Sequence, residues 1–302
     1  MSLEFAASHI LWRQFERNND APAVDDGQIE KVKDFVNAFF HSHGHTGQAQ
    51  DHHAFRWYAA QNQTFRTMLK QLVGELGNQI LLNDLDLVVL THWTPDVEIG
   101  CSVTNAIIYE TGSHDAFGIA ISDHGLSSTF LALQVIEDYL DDMDRGSHEK
   151  KALLMIADQD AILYSSPCLA SFSPTASACV VMLRSLRGEH TAGQSGSIAF
   201  KHYRKVPFPA TRQALDALLA TLDMFTSEEE LLPLVILTTP CFAGQLRQHA
   251  QLATNRIESW DEALLSSAPW VRLKELATDS NRILLVLPEG KYLVCAGFVA
   301  EA

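Results

Sequence analysis

Short apolar runs alternate along this chain with stretches whose apolar residues recur at helical spacing, and no feature limits the fold more. Residues 3–11 (LEFAASHIL), 84–90 (DLDLVVL), 116–121 (AFGIAI), 151–157 (KALLMIA), 176–183 (ASACVVML), 196–203, 231–238 (LLPLVILT), 282–287 and 292–299 read as strands. Between them, helices are expected over 27–40, 57–79, 102–110, 125–140, 211–225, 243–254 and 269–276. In the fourth, Leu126, Phe130, Leu133 and Ile136 share one face. Short runs that are apolar throughout suit strands buried on both faces, and their alternation with helices predicts an α/β fold with largely parallel sheets. The last two strands are joined by Pro288-Glu289-Gly290, a hairpin signal. A Gly- and Pro-containing stretch over 184–210 divides the chain into halves, 1–189 and 190–302, each reading β-α-β-α-β-β.

Charge and cysteine content narrow the functional classes. The chain of 302 residues carries 22 basic and 37 acidic side chains, a formal net charge of −15. That average field repels a phosphate backbone and argues against nucleic-acid binding. Apolar residues make up 47%, yet no run reaches the roughly 18 residues that span a bilayer, and no membrane association is expected. Cys101, Cys168, Cys179, Cys241 and Cys295 are odd in number and form no CxxC pair, which fits buried thiols in a reducing cytoplasm. The N-terminus lacks a secretory pattern. His41, His43, His45, His52 and His53 invite a metal reading, but without Cys or acidic ligands at zinc spacing they read as a solvated loop, and no metal site is expected. Glu137, Asp138, Asp141, Asp142 and Asp144 sit near a helix C-terminus, where the dipole disfavours carboxylates.

Several local strings carry a family resemblance. Asp84–Val89 followed by Thr94-Pro95-Asp96, then Phe117–Leu126 (FGIAISDHGL), Ala152–Ala157 followed by Asp158, Pro174–Leu183 and the closing pair 282–299 stand in a characteristic order. In that order and spacing the chain resembles the thiolase superfamily, specifically its β-ketoacyl synthase III branch. The likeness is best over residues 80–185 and weaker in 1–60 and 190–280. It implies a thiolase-like α/β fold, two βαβαββ halves stacked in five α-β-α-β-α layers, with a shortened second half.

In that family a Cys at the N-terminus of a buried helix accepts an acyl group from a thioester, activated by the helix dipole and a nearby His. A His and an Asn from the second half hold the carbonyl of the extender. Here the matching positions fall on Asp123, on Cys241 and near Leu264, and the second half contains no His-x-x-Asn or Gly-Asn-Thr string. An Asp at a helix N-terminus is stabilised as the anion, attacks a thioester poorly and repels a malonyl carboxylate. Ordinary Claisen chemistry is therefore not expected.

Asp123 and His124 read either as a polar helix cap in an inactive pocket or as an acid/base pair, with Ser122 as an alternative acyl acceptor. Cys241 is either a small buried hydrophobe or a relocated nucleophile. Arg184, Arg187, Lys201, His202, Arg204 and Lys205 are the one basic concentration. They serve loop solubility, or they contact coenzyme A phosphates or an acyl carrier protein. By resemblance, Asn105, Gly112 and the segment around Phe117 lie at the family's dimer interface and substrate tunnel.

Two functions of different class follow. In the first, the chain is a non-catalytic ketosynthase III-like subunit that pairs with an active ketosynthase and shapes its acyl pocket. In the second, it is an acyltransferase or thioester hydrolase with rewired chemistry at Ser122, Asp123, His124 or Cys241. Either way the expected substrate is an acyl-coenzyme A or acyl carrier protein thioester, with no cofactor of its own.

Overall fold

A computed structural model describes residues 2–16, 26–42, 44, 63–122, 125–142, 149–160, 162, 167–186, 196–207, 218–222, 232–249, 251–252 and 255–301. Its strands are β1 (Ser2–Ala6), β2 (Ile10–Gln14), β3 (Leu87–Thr91), β4 (Phe117–Ile121), β5 (Lys150–Asp158), β6 (Ser177–Leu186), β7 (Ser197–Pro207), β8 (Leu234–Thr238), β9 (Arg256–Ser259), β10 (Asn281–Glu289) and β11 (Tyr292–Glu301). Its principal helices are α1 (Asp26–Ser42), α2 (Phe65–Gly77), α3 (Val103–Thr111), α4 (Ser128–Asp142), α5 (Pro240–Arg247) and α6 (Ala268–Leu276).

The strands hydrogen-bond in the order β4-β3-β5-β6-β1-β7-β11-β10-β8-β9, with β2 also on β6. Outward from the central β1–β7 pair, each side repeats one topology: first strand, fifth, fourth, second, third. The expectation of largely parallel sheets needs correction. β3 is parallel to β4 and β5, and β8 to β9 and β10. Every pair from β5 through β1 and β7 to β10 is antiparallel. One reason lies in the connections: β10 returns to β11 through a tight turn, and a short return forces an antiparallel pair.

Strand alternation divides the core into layers. On β5, Ala152, Leu154 and Ile156 face a central cluster, while Leu153, Met155 and Ala157 face an outer one. On β10, Ile283, Leu285 and Leu287 join the same central cluster, and Leu284 and Val286 face the opposite outside. The central layer holds α4, through Phe130, Leu133, Ile136 and Leu140, and α6, through Trp270, Leu273 and Leu276. One outer layer holds α2 and α3, the other α5 with Leu218 and Leu222. This is the five-layer α-β-α-β-α arrangement that the sequence predicts.

Several element boundaries depart from expectation. The first strand is broken at Ala7–His9 by a 3-10 turn. The second helix spans Phe65–Gly77 within the expected 57–79, capped where the Thr64 hydroxyl accepts from Thr67 N and Asp96 Oδ1 accepts from Phe65 N. The helix expected over 243–254 occupies Pro240–Arg247, because Thr239 caps it and Pro240 suits its first turn. β9 was not expected. Its Arg-Ile-Glu-Ser carries one apolar residue, and Arg256 pairs with Glu258 at 2.9 Å. The expected helix 211–225 is described at 218–222 only, and the 189/190 boundary lies outside the described residues. At the acidic end of α4, the buried Lys150 Nζ donates to Leu140 O at 2.6 Å and offsets the unfavourable dipole.

One buried carboxylate fastens the layers together. Asp158, at the end of β5, accepts at Oδ1 from Trp93 N (2.8 Å), Thr94 N (2.8 Å) and the Thr94 hydroxyl (3.1 Å). Its Oδ2 accepts from Ser266 N at 3.0 Å. Ser266 follows Leu265, a fully buried residue held at φ 45°, ψ −124°, a conformation that strains an L-residue. The same turn is anchored by Thr175 N to Ala263 O (2.9 Å) and the Ser177 hydroxyl to Leu264 O (3.1 Å). Replacing Asp158 with Asn puts an NH2 donor against one or more of these donors. Asp158→Asn is expected to lower unfolding stability by about 2 kcal/mol, read by chemical denaturation. An unchanged midpoint would contradict this role.

Candidate functional site

The carboxyl ends of the parallel strands from both sides of the sheet converge on one cavity of about 450 Å³. Its walls are Trp93 after β3, Gly125 and Leu126 after β4, Phe172 after β5, Thr239, Cys241, Phe242 and Gln245 after β8, Glu262 after β9, and Leu287–Gly290 at the β10–β11 turn. Ligand sites of α/β sheets gather at strand carboxyl ends because there the loops leave the sheet and a helix N-terminus faces the opening. Trp93 and Phe172 stand edge to face at 5.7 Å. The walls are chiefly apolar, interrupted by a thiol, a hydroxyl, an amide and two carboxylates.

The mouth of the central helix is closed by a carboxylate from the other side of the sheet. Gly125–Ser127 forms a 3-10 turn leading into α4, with Gly125 at φ +55°. The Ser127 hydroxyl donates to Glu289 Oε2. The positive φ favours glycine here, and a Cβ built at Gly125 would overlap Glu289 Oε1, so any side chain would have to displace that carboxylate. Burial, then the Glu289 charge, push the Tyr203 phenol up. Burial, then Asp261, push the Glu262 carboxyl up.

The sequence-derived candidates divide as follows. Asp123 and His124 lie outside the described residues, and so does Arg187. Ser122 directly follows β4, three positions before Gly125. Cys241 is exposed on the first turn of α5 and lines the cavity, so it shares that space with the start of the central helix. Leu264 and Leu265 are buried in the turn that Asp158 fixes. Arg184 lies on β6, with Nη1 3.3 Å from Glu149. Arg204 and Lys205 lie on β7, and the Lys205 ammonium sits 4.5 Å over the Tyr292 ring. Arg184 registers through Glu4 with Ala199, which places Arg204 roughly 17 Å farther along the sheet. The basic residues are therefore split between two places. His41 ends α1, while His43, His45, His52 and His53 lie outside the described residues. Among the described residues, no group of three or more His, Cys, Asp or Glu is placed to hold a metal ion, and no helix is long and apolar enough to cross a membrane.

Sequence reasoning missed Glu289 and Glu262. Glu289 was legible only as the middle of a hairpin turn. Its partner Gly125 lies more than 160 positions away, and no local pattern links the two.

No protein-family model and no curated protein matches the chain. Solved structures do. The acyltransferase ChlB3 is 16% identical with a TM-score of 0.61, over all of this chain and 98% of that one. AbyA1, a tetronic acid condensing enzyme, is 14% identical with a TM-score of 0.58, over 98% and 99%. A 3-oxoacyl-(acyl-carrier-protein) synthase III is 13% identical with a TM-score of 0.57, over 78% and 85%. The chain has a thiolase-like fold. Within that fold, the cavity at the start of α4 joins the expected nucleophile segment to the segments expected to supply the His and the Asn.

Two outcomes follow from this geometry. Gly125→Ala is expected to destabilise the protein by about 2 kcal/mol. Gly125→Ala with Glu289→Ala should recover part of that loss in a double-mutant cycle, and strict additivity would contradict the contact. Among the described cysteines, Cys241 is expected to react with iodoacetamide in the native protein. Cys179 and Cys295 should stay unmodified, because burial pushes the Cys179 thiol up strongly and that of Cys295 up to about 12. Peptide mass mapping reads the result.

Proposed function

We propose that the chain is a ketosynthase III-like protein of fatty-acid or polyketide-type biosynthesis that serves as a non-catalytic subunit of an active ketosynthase. The observation that carries this reading is the Glu289 carboxylate held against Gly125 and Ser127 at the start of α4. In a condensing enzyme this region receives the thioester carbonyl and the carboxylate of the extender. A fixed anion there opposes both, and the Leu264 and Leu265 side chains, unlike an Asn, supply no donor to a developing oxyanion. Three departures from the expected catalytic set, at Asp123, Cys241 and Leu264, act in the same direction.

Pairing with another chain is supported by an edge of the sheet that no other described strand pairs with. β4 ends the strand order, and Phe117 on it is 54% exposed, stacked on Tyr139 at 5.8 Å. Tyr109 on the neighbouring α3 is exposed as well. An edge strand with an exposed aromatic is suited to pairing with a second sheet. A second reading, an acyltransferase or thioester hydrolase, is favoured by one observation: the exposed Cys241 thiol opens into the cavity.

Intact-protein mass spectrometry after incubation with acyl-coenzyme A and acyl carrier protein thioesters separates the two. The subunit reading expects no acyl adduct on this chain. An adduct that disappears in Cys241→Ala or Ser122→Ala would overturn it and identify the nucleophile.

A further inference from the structure

We infer that the cavity at the strand carboxyl ends binds an organic cation, a primary amine on an apolar chain. Among the described residues its lining carries two carboxylates, Glu262 and Glu289, and no basic side chain. Trp93, Phe172, Phe242, Leu126, Leu287 and Pro288 make the walls mostly apolar and aromatic, with Thr239, Cys241 and Gln245 as the other polar side chains. Apolar walls take part of the hydration away from such carboxylates, and a cation that enters offsets that loss. Aromatic faces add attraction for the cation, and the apolar walls hold its hydrocarbon part.

The site is built for this charge. Gly125 leaves room that any side chain would fill, and the Ser127 hydroxyl fixes Glu289 Oε2. One hydroxyl occupies one of about four acceptor positions of a carboxylate, so the group keeps capacity for an ammonium. The Glu289 charge is felt as far as the Tyr203 phenol. A carboxylate-bearing ligand meets repulsion from both glutamates, and a neutral one gains only the apolar contact. The inference concerns binding alone and holds whether or not the chain becomes acylated.

Saturation-transfer NMR titration of the full chain with n-hexylammonium, n-hexanol and n-hexanoate tests it. The ammonium is expected to bind at least about tenfold more tightly than the alcohol, with the carboxylate weakest. Glu289→Gln should reduce hexylammonium affinity about tenfold and bring it to the level of the alcohol. A thermal melt checks that this variant folds. Should it not, Glu262→Gln, a half-buried position at the start of the 3-10 turn Glu262–Ser267, decides through the same loss. Equal or tighter binding of hexanol or hexanoate overturns the inference. So does binding of none of the three, or unchanged hexylammonium affinity in both folded variants.

Discussion

A single buried carboxylate, Asp158, organises both the stacking of the layers and the shape of the site. Its two oxygens accept four hydrogen bonds, from the loop after β3 and from the turn before α6. An ion buried this completely is tolerated only when its acceptor positions are matched by donors. The match obliges the turn to hold Leu265 at positive φ, and that strain, of order 1–3 kcal/mol, is offset by the bonds at Ser266, Thr175 and Ser177. A further tie runs from Lys274 on α6 to Ile10 O at 2.7 Å. α6 and the turn before it are thus fastened to strands distant in sequence.

The cavity inverts the electrostatics usual for a helix start. The positive end of a helix attracts an anion, and in this chain the anion is the protein's own Glu289. Occupying that end with a tethered carboxylate changes which ligand charge the site favours, without altering the fold around it. Fold and chemistry here are set by different residues: the strand pattern and Asp158 determine the first, Gly125, Ser127, Glu262 and Glu289 the second.

The strands and helices were legible because they rest on local periodicity, whereas the five-layer stacking was implied by the family resemblance. The runs at 84–90, 151–157 and 231–238 are apolar throughout, and a strand buried on both faces leaves that imprint. β9 left none, since its charged residues pair along the strand instead of facing a core. Strand direction was read less well: apolar runs reveal burial, whereas parallel or antiparallel pairing depends on what connects the strands. In the site, Cys241 could be placed because it follows an apolar strand at a recognisable position. Glu289 could not, because its meaning comes from Gly125, a contact between residues of unrelated sequence neighbourhoods. Asp158 belonged to a quoted string, but its role depends on backbone donors that no side-chain pattern records.

The β1–β7 junction has a consequence for how this chain is made. Leu3 and Glu4 pair with Ser185 and Arg184 on one side and with Phe200 and Ala199 on the other. Both partners of the opening strand are synthesised roughly 180 residues later. At ordinary elongation rates of about 5–20 residues per second, that strand waits on the order of ten seconds or more before either edge is satisfied. Leu3 and Phe5, buried in the folded protein, lack their β-sheet neighbours until then. The seam on which the symmetry of the sheet turns therefore cannot close until about two thirds of the chain has been made, with β8 to β11 still to follow.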